Sequence, residues 1–437
     1  MSSVQSENAA KAGWQRGTLG QLLPLKYGKS LPAQLRDPNG SHPVYGSSGL
    51  VGTHSAALSD GPTLVVGRKG NVGAVHYSEV PCWPIDTAYY VEAPEGHNLR
   101  YYKYLLDSLH LVRLDRSTAV PGLSRDDYNA VEVLLAPPAV QNEIVDEIEK
   151  QFSRLDEAVA NLQHVKAKLK RYKASVLKDA VEGRLVPTEA ELARREGREF
   201  ETGEQLLRRI VDHRRTGRKF SEPSKGLDAR EQIVQPSSPN GWTWTTVEKI
   251  ADVISGLTKS PKRDTLPLKL PYLRVANVYA NELRLGDMAE IGVAENELQK
   301  LLVHKGDLLI VEGNGSPDQI GRVAKWDGSI SPCVHQNHLI KVRPTLLEPD
   351  WVLIWLNSPG GRKIIENVSS STTGLHTLSS GKVGRLSLPI PPLCEQRRII
   401  EEVDYRMSLI RRFESDLTKN LTRSDELRSA FLSAAFC

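Results

Sequence analysis

Few residues in this 437-residue chain are spaced as reactive chemistry requires. His335 and His338 are three apart, close enough to share a metal, but no carboxylate motif or cysteine pair completes a ligand set. Asp126-Asp127 offers two adjacent carboxylates without the nearby lysine that a nuclease centre needs. Gly67 to Gly73 and Gly313-Asn314-Gly315 contain closely spaced glycines, yet each lies between two strand-like runs, so a turn is expected rather than a phosphate loop. The sequence contains neither GxxxxGK[ST] nor an Asn/Asp-Pro-Pro-aromatic signature, and no nucleophile elbow. Cys82, Cys333, Cys394 and Cys437 are scattered without a CxxC pair, which excludes a zinc ribbon by spacing and suggests small buried residues in a reducing cytoplasm. A chain this long without a catalytic constellation points to a binding or scaffolding subunit, and no catalytic residue or metal ligand is expected in it.

Composition agrees with that class. The chain is 39% hydrophobic and 25% charged with a net charge of +4, and it lacks an apolar run that could span a bilayer. A mild positive excess permits nucleic-acid binding without demonstrating it. The length calls for two or more domains.

The elements that would position a binding site are written twice. Leu134 to Ile148 and Leu388 to Val403 each carry a strand-like run, a Pro-Pro and an amphipathic helix, aligned by allowing one residue of slip after the prolines. Apolar residues Ile148, Phe152, Leu155, Val159, Leu162, Leu169 and Val176 alternate four and three apart, the seam of a coiled coil. The same seam recurs 255 residues later at Val403, Met407, Ile410, Leu417 and Phe431, with Leu421 between, interrupted by Glu414 and Ser424. Each helix is roughly 40 residues, or about 60 Å at 1.5 Å per residue, and needs a partner. Two copies in one chain pair most simply antiparallel, which sets Glu414 near Lys166 and Lys173 and Arg428 near Asp156, unless these polar residues are only solvated at the seam's edge.

Upstream of each helix lies a globular segment that opens on Gly-Trp, at Gly13-Trp14 and Gly241-Trp242. Each continues through strand-like runs broken by turns (Thr63–Tyr77 and Asp307–Trp326), then a helix (Leu99–Leu111 and Asp350–Val368) and a Ser/Thr loop (Ser117–Leu123 and Ser369–Leu378). Outside these landmarks the copies diverge, as expected of a tandem reader of two different ligands. The expected fold class is α+β. A flexible 1–12 precedes recognition domain 13–138 and helix 139–182; a charged helical segment and linker, 183–240, leads to recognition domain 241–392 and helix 393–437. Within the linker, Ser221–Pro239 reads as a mobile stretch, and the basic cluster Arg208–Lys219 meets DNA phosphates, solvent or an acidic partner.

This layout resembles the DNA-specificity subunits of Type I restriction–modification enzymes. The resemblance is carried best by Pro391-Pro392-Leu393-Cys394-Glu395-Gln396-Arg397-Arg398-Ile399. The paired Gly-Trp openings, Gly67–Gly73 followed by Asp86-Thr87, Tyr272–Val278, and the helix exit Glu182–Pro187 add to it. The first copy departs from it, reading Pro137-Pro138-Ala139-Val140-Gln141-Asn142, one residue short and without the Glu-Gln pair. The resemblance implies that each globular segment reads one half of an asymmetric bipartite target in double-stranded DNA, while the antiparallel coiled coil sets the spacer. It also implies two methyltransferase subunits carrying S-adenosylmethionine and two restriction subunits using ATP and Mg, with no cofactor in this chain. The rival readings are a coiled-coil scaffold that never meets DNA and the reader of a modification-only system.

DNA contacts are then expected from loop residues. In the first domain these are Lys29, Arg68, Lys69, Asn71, Arg116, Ser117 and Thr118. In the second they are Lys259, Arg274, Asn277, Asn314, Gln319, Gln336, Asn337, His338, Thr372, Thr373 and His376.

Overall fold

The computed structural model describes residues 13–92, 94–115, 121–217, 238–313, 319–369 and 377–436. The chain divides into two compact units, Met1–Val165 with Asp416–Cys437, and Lys166–Ser415. Each unit holds one α+β domain and the end portions of two long helices, Pro138–Val181 and Leu393–Phe436.

In the first unit the opening strand Gln15–Thr18 pairs antiparallel with Glu132–Leu135, the strand that leads into the first long helix. A four-stranded sheet orders Lys26–Tyr27, Ala88–Glu92, Thr63–Gly67 and Val75–Ser78. A smaller sheet centres on His42–Gly46, antiparallel to Gly49–His54 and parallel to Trp83–Pro84. Helix Leu99–Ser108 buries Leu99, Tyr101, Tyr102, Leu105 and Leu106, spaced three and four apart, against the larger sheet.

The second unit repeats this order. Thr243–Thr246 pairs with Ser387–Ile390, and the four-stranded sheet runs Ala251–Ser255, Leu339–Pro344, Leu308–Val311 and Val323–Lys325. The small sheet again has a central strand, Lys269–Leu273, antiparallel to Ala289–Gly292 and parallel to Val334–His335. The single helix expected over Asp350–Val368 is two, Pro349–Asn357 and Pro359–Ser369. Pro359 has no N–H to continue the first, and the Ser358 hydroxyl restarts the turn by accepting from the Gly361 N–H at 3.1 Å.

Superposing the two pairing schemes removes the one-residue slip. A buried glutamine, Gln141 in the first copy and Gln396 in the second, stands 255 residues from its twin, as do the strands just before them. Gln141 donates from Nε2 to the Ala136 carbonyl and accepts at Oε1 from the Asn98 N–H, both at 2.9 Å. Gln396 donates to the Pro391 carbonyl at 2.9 Å and accepts from the Glu348 N–H at 3.3 Å. Each side chain therefore ties the end of the last strand to the N-terminus of a domain helix and fixes where the long helix departs. Aligning the prolines hid this equivalence; only the glutamate is missing from the first copy, where Val140 stands for Glu395.

That glutamate does separate work. Fully buried Glu395 accepts from Trp242 Nε1 at 2.8 Å and from the Glu189 N–H at 2.9 Å, and burial raises its pKa. Beside it the side chain of Glu189 pairs with Arg198 at 2.6 Å and Arg398 at 2.7 Å. This cluster fastens helix Glu189–Glu196 to the root of the second long helix, and Leu206 and Ile210 of helix Gly203–Gly217 enter the same apolar core.

Antiparallel helix contacts are present inside each unit. In the first, Ile148 and Phe152 pack with Leu432, Arg428 pairs with Asp156, and its guanidinium lies 4.5 Å from the Phe152 ring centre. In the second, Val176, Ala180 and Val181 join Ile399, Val403 and Met407 in one core. Ile410 and Leu417 are also buried, whereas Leu155, Val159, Leu162, Leu169 and Leu421 are half-buried. Phe431 corrects the expected seam: it is exposed and Leu432 takes the inward position, because the helix has turned away from the strict heptad by this point. The first long helix stops at Gly183, whose φ of +69° suits glycine. Cys394 is exposed rather than buried, and no helix among the described residues is long and apolar enough to cross a membrane. Residues 1–12 and 218–237, the latter including most of the expected mobile stretch Ser221–Pro239, lie outside the described residues.

Candidate nucleic-acid interface

In the first unit three segments converge beside the four-stranded sheet. The turn that starts at Gly67 closes tightly, because a Cβ there would sit 1.9 Å from the Asn71 carbonyl. Arg68 and Lys69 donate their backbone N–H groups to the Thr87 carbonyl at 3.0 and 3.1 Å. Leu123 in turn donates to the Arg68 carbonyl at 2.9 Å, and Lys69 forms a β-bridge with Gly122. The turn, the loop before strand Ala88–Glu92 and the end of the Ser/Thr loop thus form one surface.

Its side chains are cationic and aromatic. Arg68 donates to the Asp86 carbonyl at 3.1 Å and lies 5.3 Å from the Tyr27 ring centre and 5.7 Å from that of Tyr89. Arg125 lies 5.6 Å from Tyr27, so the half-exposed Tyr27 ring is shared by two guanidinium groups. Tyr89 is buried; burial raises its pKa, and its hydroxyl donates to the Leu123 carbonyl at 3.2 Å. Lys69 and Asn71 are exposed on the turn, and Lys29 is exposed where its backbone joins Pro84 and Trp83. Tyr27 and Arg125 were not among the residues expected from the sequence. The local KYGK and SRDD contexts are ordinary, and only folding places them beside Arg68.

The second unit builds the same surface with other groups. The Leu378 N–H donates to the Glu312 carbonyl at 2.7 Å, Gly313 bridges Thr377, and the Glu312 N–H donates to the His338 carbonyl at 2.9 Å. His338 Nδ1 lies 2.9 Å from Glu312 Oε2. Lys259 is exposed and Asn337 half-buried. Several expected contacts have internal duties instead. Gln336 accepts from the Val275 N–H at 3.3 Å, and Gln319 accepts from Arg322 at 3.1 Å. Arg274 pairs with Asp287 at 2.7 Å. Asn277 is a correction: it is 2% exposed, accepts from the Arg274 N–H, and donates to the Arg284 and Asp287 carbonyls. A side chain so committed shapes its loop and does not reach a ligand. Arg116, Ser117, Thr118, Asn314, Thr372, Thr373 and His376 lie outside the described residues.

His335 and several arginines of the basic linker helix make internal contacts. Fully buried His335 has its ring nitrogens 3.3 Å from the Leu301 and Ile254 carbonyls; burial, helped by nearby Lys341, lowers its pKa to about 4. In the basic linker helix, Arg208 pairs with Glu204 and Arg209 grips Glu201 through two 2.8 Å bonds. Arg214 bonds to Thr345 and the Ala251 carbonyl, each at 3.0 Å.

The chain thus holds two copies of one frame, each presenting a loop surface of different chemistry and each issuing a long helix. Residues 11–171 match the family described as the Type I restriction modification DNA specificity domain. It is 22% identical over 329 residues to the EcoKI specificity subunit of Escherichia coli K12, covering 74% of this chain and 61% of that one. The EcoDI specificity subunit of Escherichia coli is 20% identical over 97% of this chain and 88% of its own. The StySPI specificity subunit of Salmonella potsdam is 21% identical over 74% of this chain and 60% of its own, so the match spans less than two thirds of two of these three relatives. Among solved structures, a chain from a study of complex assembly and conformational transition in a type I R-M system aligns over 97% of this chain and 98% of its own. Its TM-score is 0.61 and its identity 16%, a likeness of fold.

Proposed function

We propose that this chain is the sequence-reading subunit of a Type I restriction–modification enzyme, and that its two domains read different halves of one bipartite DNA target. The observation that carries this reading is the repeated loop surface. Matching backbone hydrogen bonds hold it in both copies, while its side chains differ: Arg68, Lys69 and Tyr27 in one, Glu312, Gly313 and His338 in the other. A rigid frame with interchangeable chemistry is what direct readout of two sequences requires. In this reading Lys29, Lys69 and Asn71 supply phosphate and base contacts for the first half-site, with Lys259 and Asn337 doing so for the second. The long helices set the spacer and dock two methyltransferase subunits, which bind S-adenosylmethionine. Two restriction subunits using ATP and Mg complete the enzyme, which works in the cytoplasm. The chain itself carries out no catalytic step and holds no cofactor.

The test is co-expression with a Type I methyltransferase subunit, followed by mapping of N6-methyladenine in the host DNA. The expected result is a two-part motif with an unread spacer of constant length. Lys69→Ala with Asn71→Ala is expected to weaken or alter one half only. A complex that assembles yet neither methylates nor binds DNA in a salt-dependent way returns the chain to the scaffold reading.

A further inference from the structure

The two loop surfaces can be compared position by position, because the same backbone contacts recur. Gly67 pairs with Ala88 in the first sheet, and Val311 pairs with Leu339 in the second. The next residue in each turn accepts a backbone hydrogen bond from the leucine that ends the Ser/Thr loop, Leu123 to Arg68 and Leu378 to Glu312. It also donates one to the loop before the neighbouring strand, Arg68 to Thr87 and Glu312 to His338. Glu312 therefore occupies the place of Arg68, and His338 the place of Thr87.

The surroundings change with them. Strand pairing sets Ser255, which faces Ile340, in the place of Tyr27, which faces Tyr89. Ser380, at the start of the short helix, replaces Arg125. The ring and two guanidinium groups of the first domain thus become two serines and a carboxylate in the second. Charge is inverted at one structurally fixed position. The Glu312 side chain is 30% exposed, and His338, 55% exposed, holds one of its oxygens at 2.9 Å.

We propose that Glu312 is a specificity-determining residue of the second domain, held in place by His338, and that it accepts a hydrogen bond from an exocyclic amino group in the major groove. This rests on the DNA-reading function proposed above. Phosphates repel a carboxylate on a DNA-facing turn, so its favourable partners in the major groove are the amino donors, cytosine N4 or adenine N6. Arg68 in the equivalent place cannot accept a hydrogen bond. The two halves are consequently read with opposite hydrogen-bond polarity at matching positions.

The test uses the full chain co-purified with its methyltransferase subunit. A wild-type complex that gives no bipartite methylation and no specific binding defeats the underlying reading, before any variant is compared. With wild-type specificity in hand, Glu312→Gln is expected to relax discrimination at one base pair of the second half-site by about 5- to 100-fold, leaving the first half unchanged. Whether that pair carries cytosine or adenine on the contacted strand identifies the amino group. His338→Ala is expected to relax the same base pair by a smaller factor, as a positioning residue should. A Glu312→Gln complex with the wild-type motif overturns the proposal, whether its affinity is unchanged or rises equally for all sequences. So does a loss spread over both half-sites.

Discussion

The two α+β domains share a frame and differ in what fastens it. In both, a buried glutamine ties the last strand to a domain helix, and the opening strand clamps the strand before the long helix. Only the second adds a buried carboxylate, Glu395, and packs two linker helices around its root. Where the second domain has His335 beside the same backbone junction, the first has Pro84: Leu257 donates to the His335 carbonyl at 2.8 Å, and Lys29 donates to that of Pro84 at 2.9 Å. Fold is thus specified by a few buried polar contacts that recur, while charge and titration behaviour vary freely around them.

The comparison is broken most severely at Glu395. Glu395→Ala leaves the Trp242 and Glu189 N–H donors buried without partners, and a loss of roughly 2–5 kcal/mol is expected in the second unit alone. Hydrogen exchange resolved by segment checks this; equal deprotection of the first domain counts against it.

The next effect is acid sensitivity. His335 has a folded pKa of about 4, below the usual 6.5, so its contribution to stability is complete above pH 6.5 and is lost as pH falls through about 4. That loss is on the order of 3 kcal/mol and has no counterpart at Pro84. Glu395, raised by burial, works in the opposite direction, so the informative quantity is the difference from His335→Gln. Unfolding of the two proteins between pH 7 and 4 is expected to diverge with the wild type losing more; parallel curves refute the assignment.

A matched pair of variants sharpens the shared part. Gln141→Leu and Gln396→Leu are each expected to cost about 1–3 kcal/mol, confined to their own domains, because each orphans a half-buried N–H and a buried carbonyl. Segment-resolved urea unfolding tests the match, and a neutral Gln141→Leu denies the equivalence. The smallest effect lies on the second long helix: Phe431→Ser is expected within about 0.5 kcal/mol of wild type, against about 2 kcal/mol or more for Leu432→Ala. Thermal unfolding decides between them.

Much of this was legible beforehand for an identifiable reason. Heptad spacing, the Gly-Trp openings and the repeated strand–Pro-Pro–helix order are local patterns, and local patterns survive in one dimension. Ile148, Phe152, Val176, Val403, Ile410 and Leu417 are buried where that spacing sets them. The errors came where a pattern was nearly periodic or a residue's neighbours were remote. The proline pair suggested a slip that Gln141 and Gln396 refute, and Phe431 sits on the heptad but points outward. Asn277, polar and in a loop, looked like a contact and is a buried brace.

By itself, then, the amino-acid sequence determined the tandem architecture and the long helices, since these follow from periodicity and order along the chain. Only the tertiary structure decided which side chains are free to act. It drew Tyr27, Arg68 and Arg125 together from three distant segments, and it set Glu312 in the place of Arg68. Such placements depend on strand pairing between residues tens of positions apart, and no local spacing encodes them.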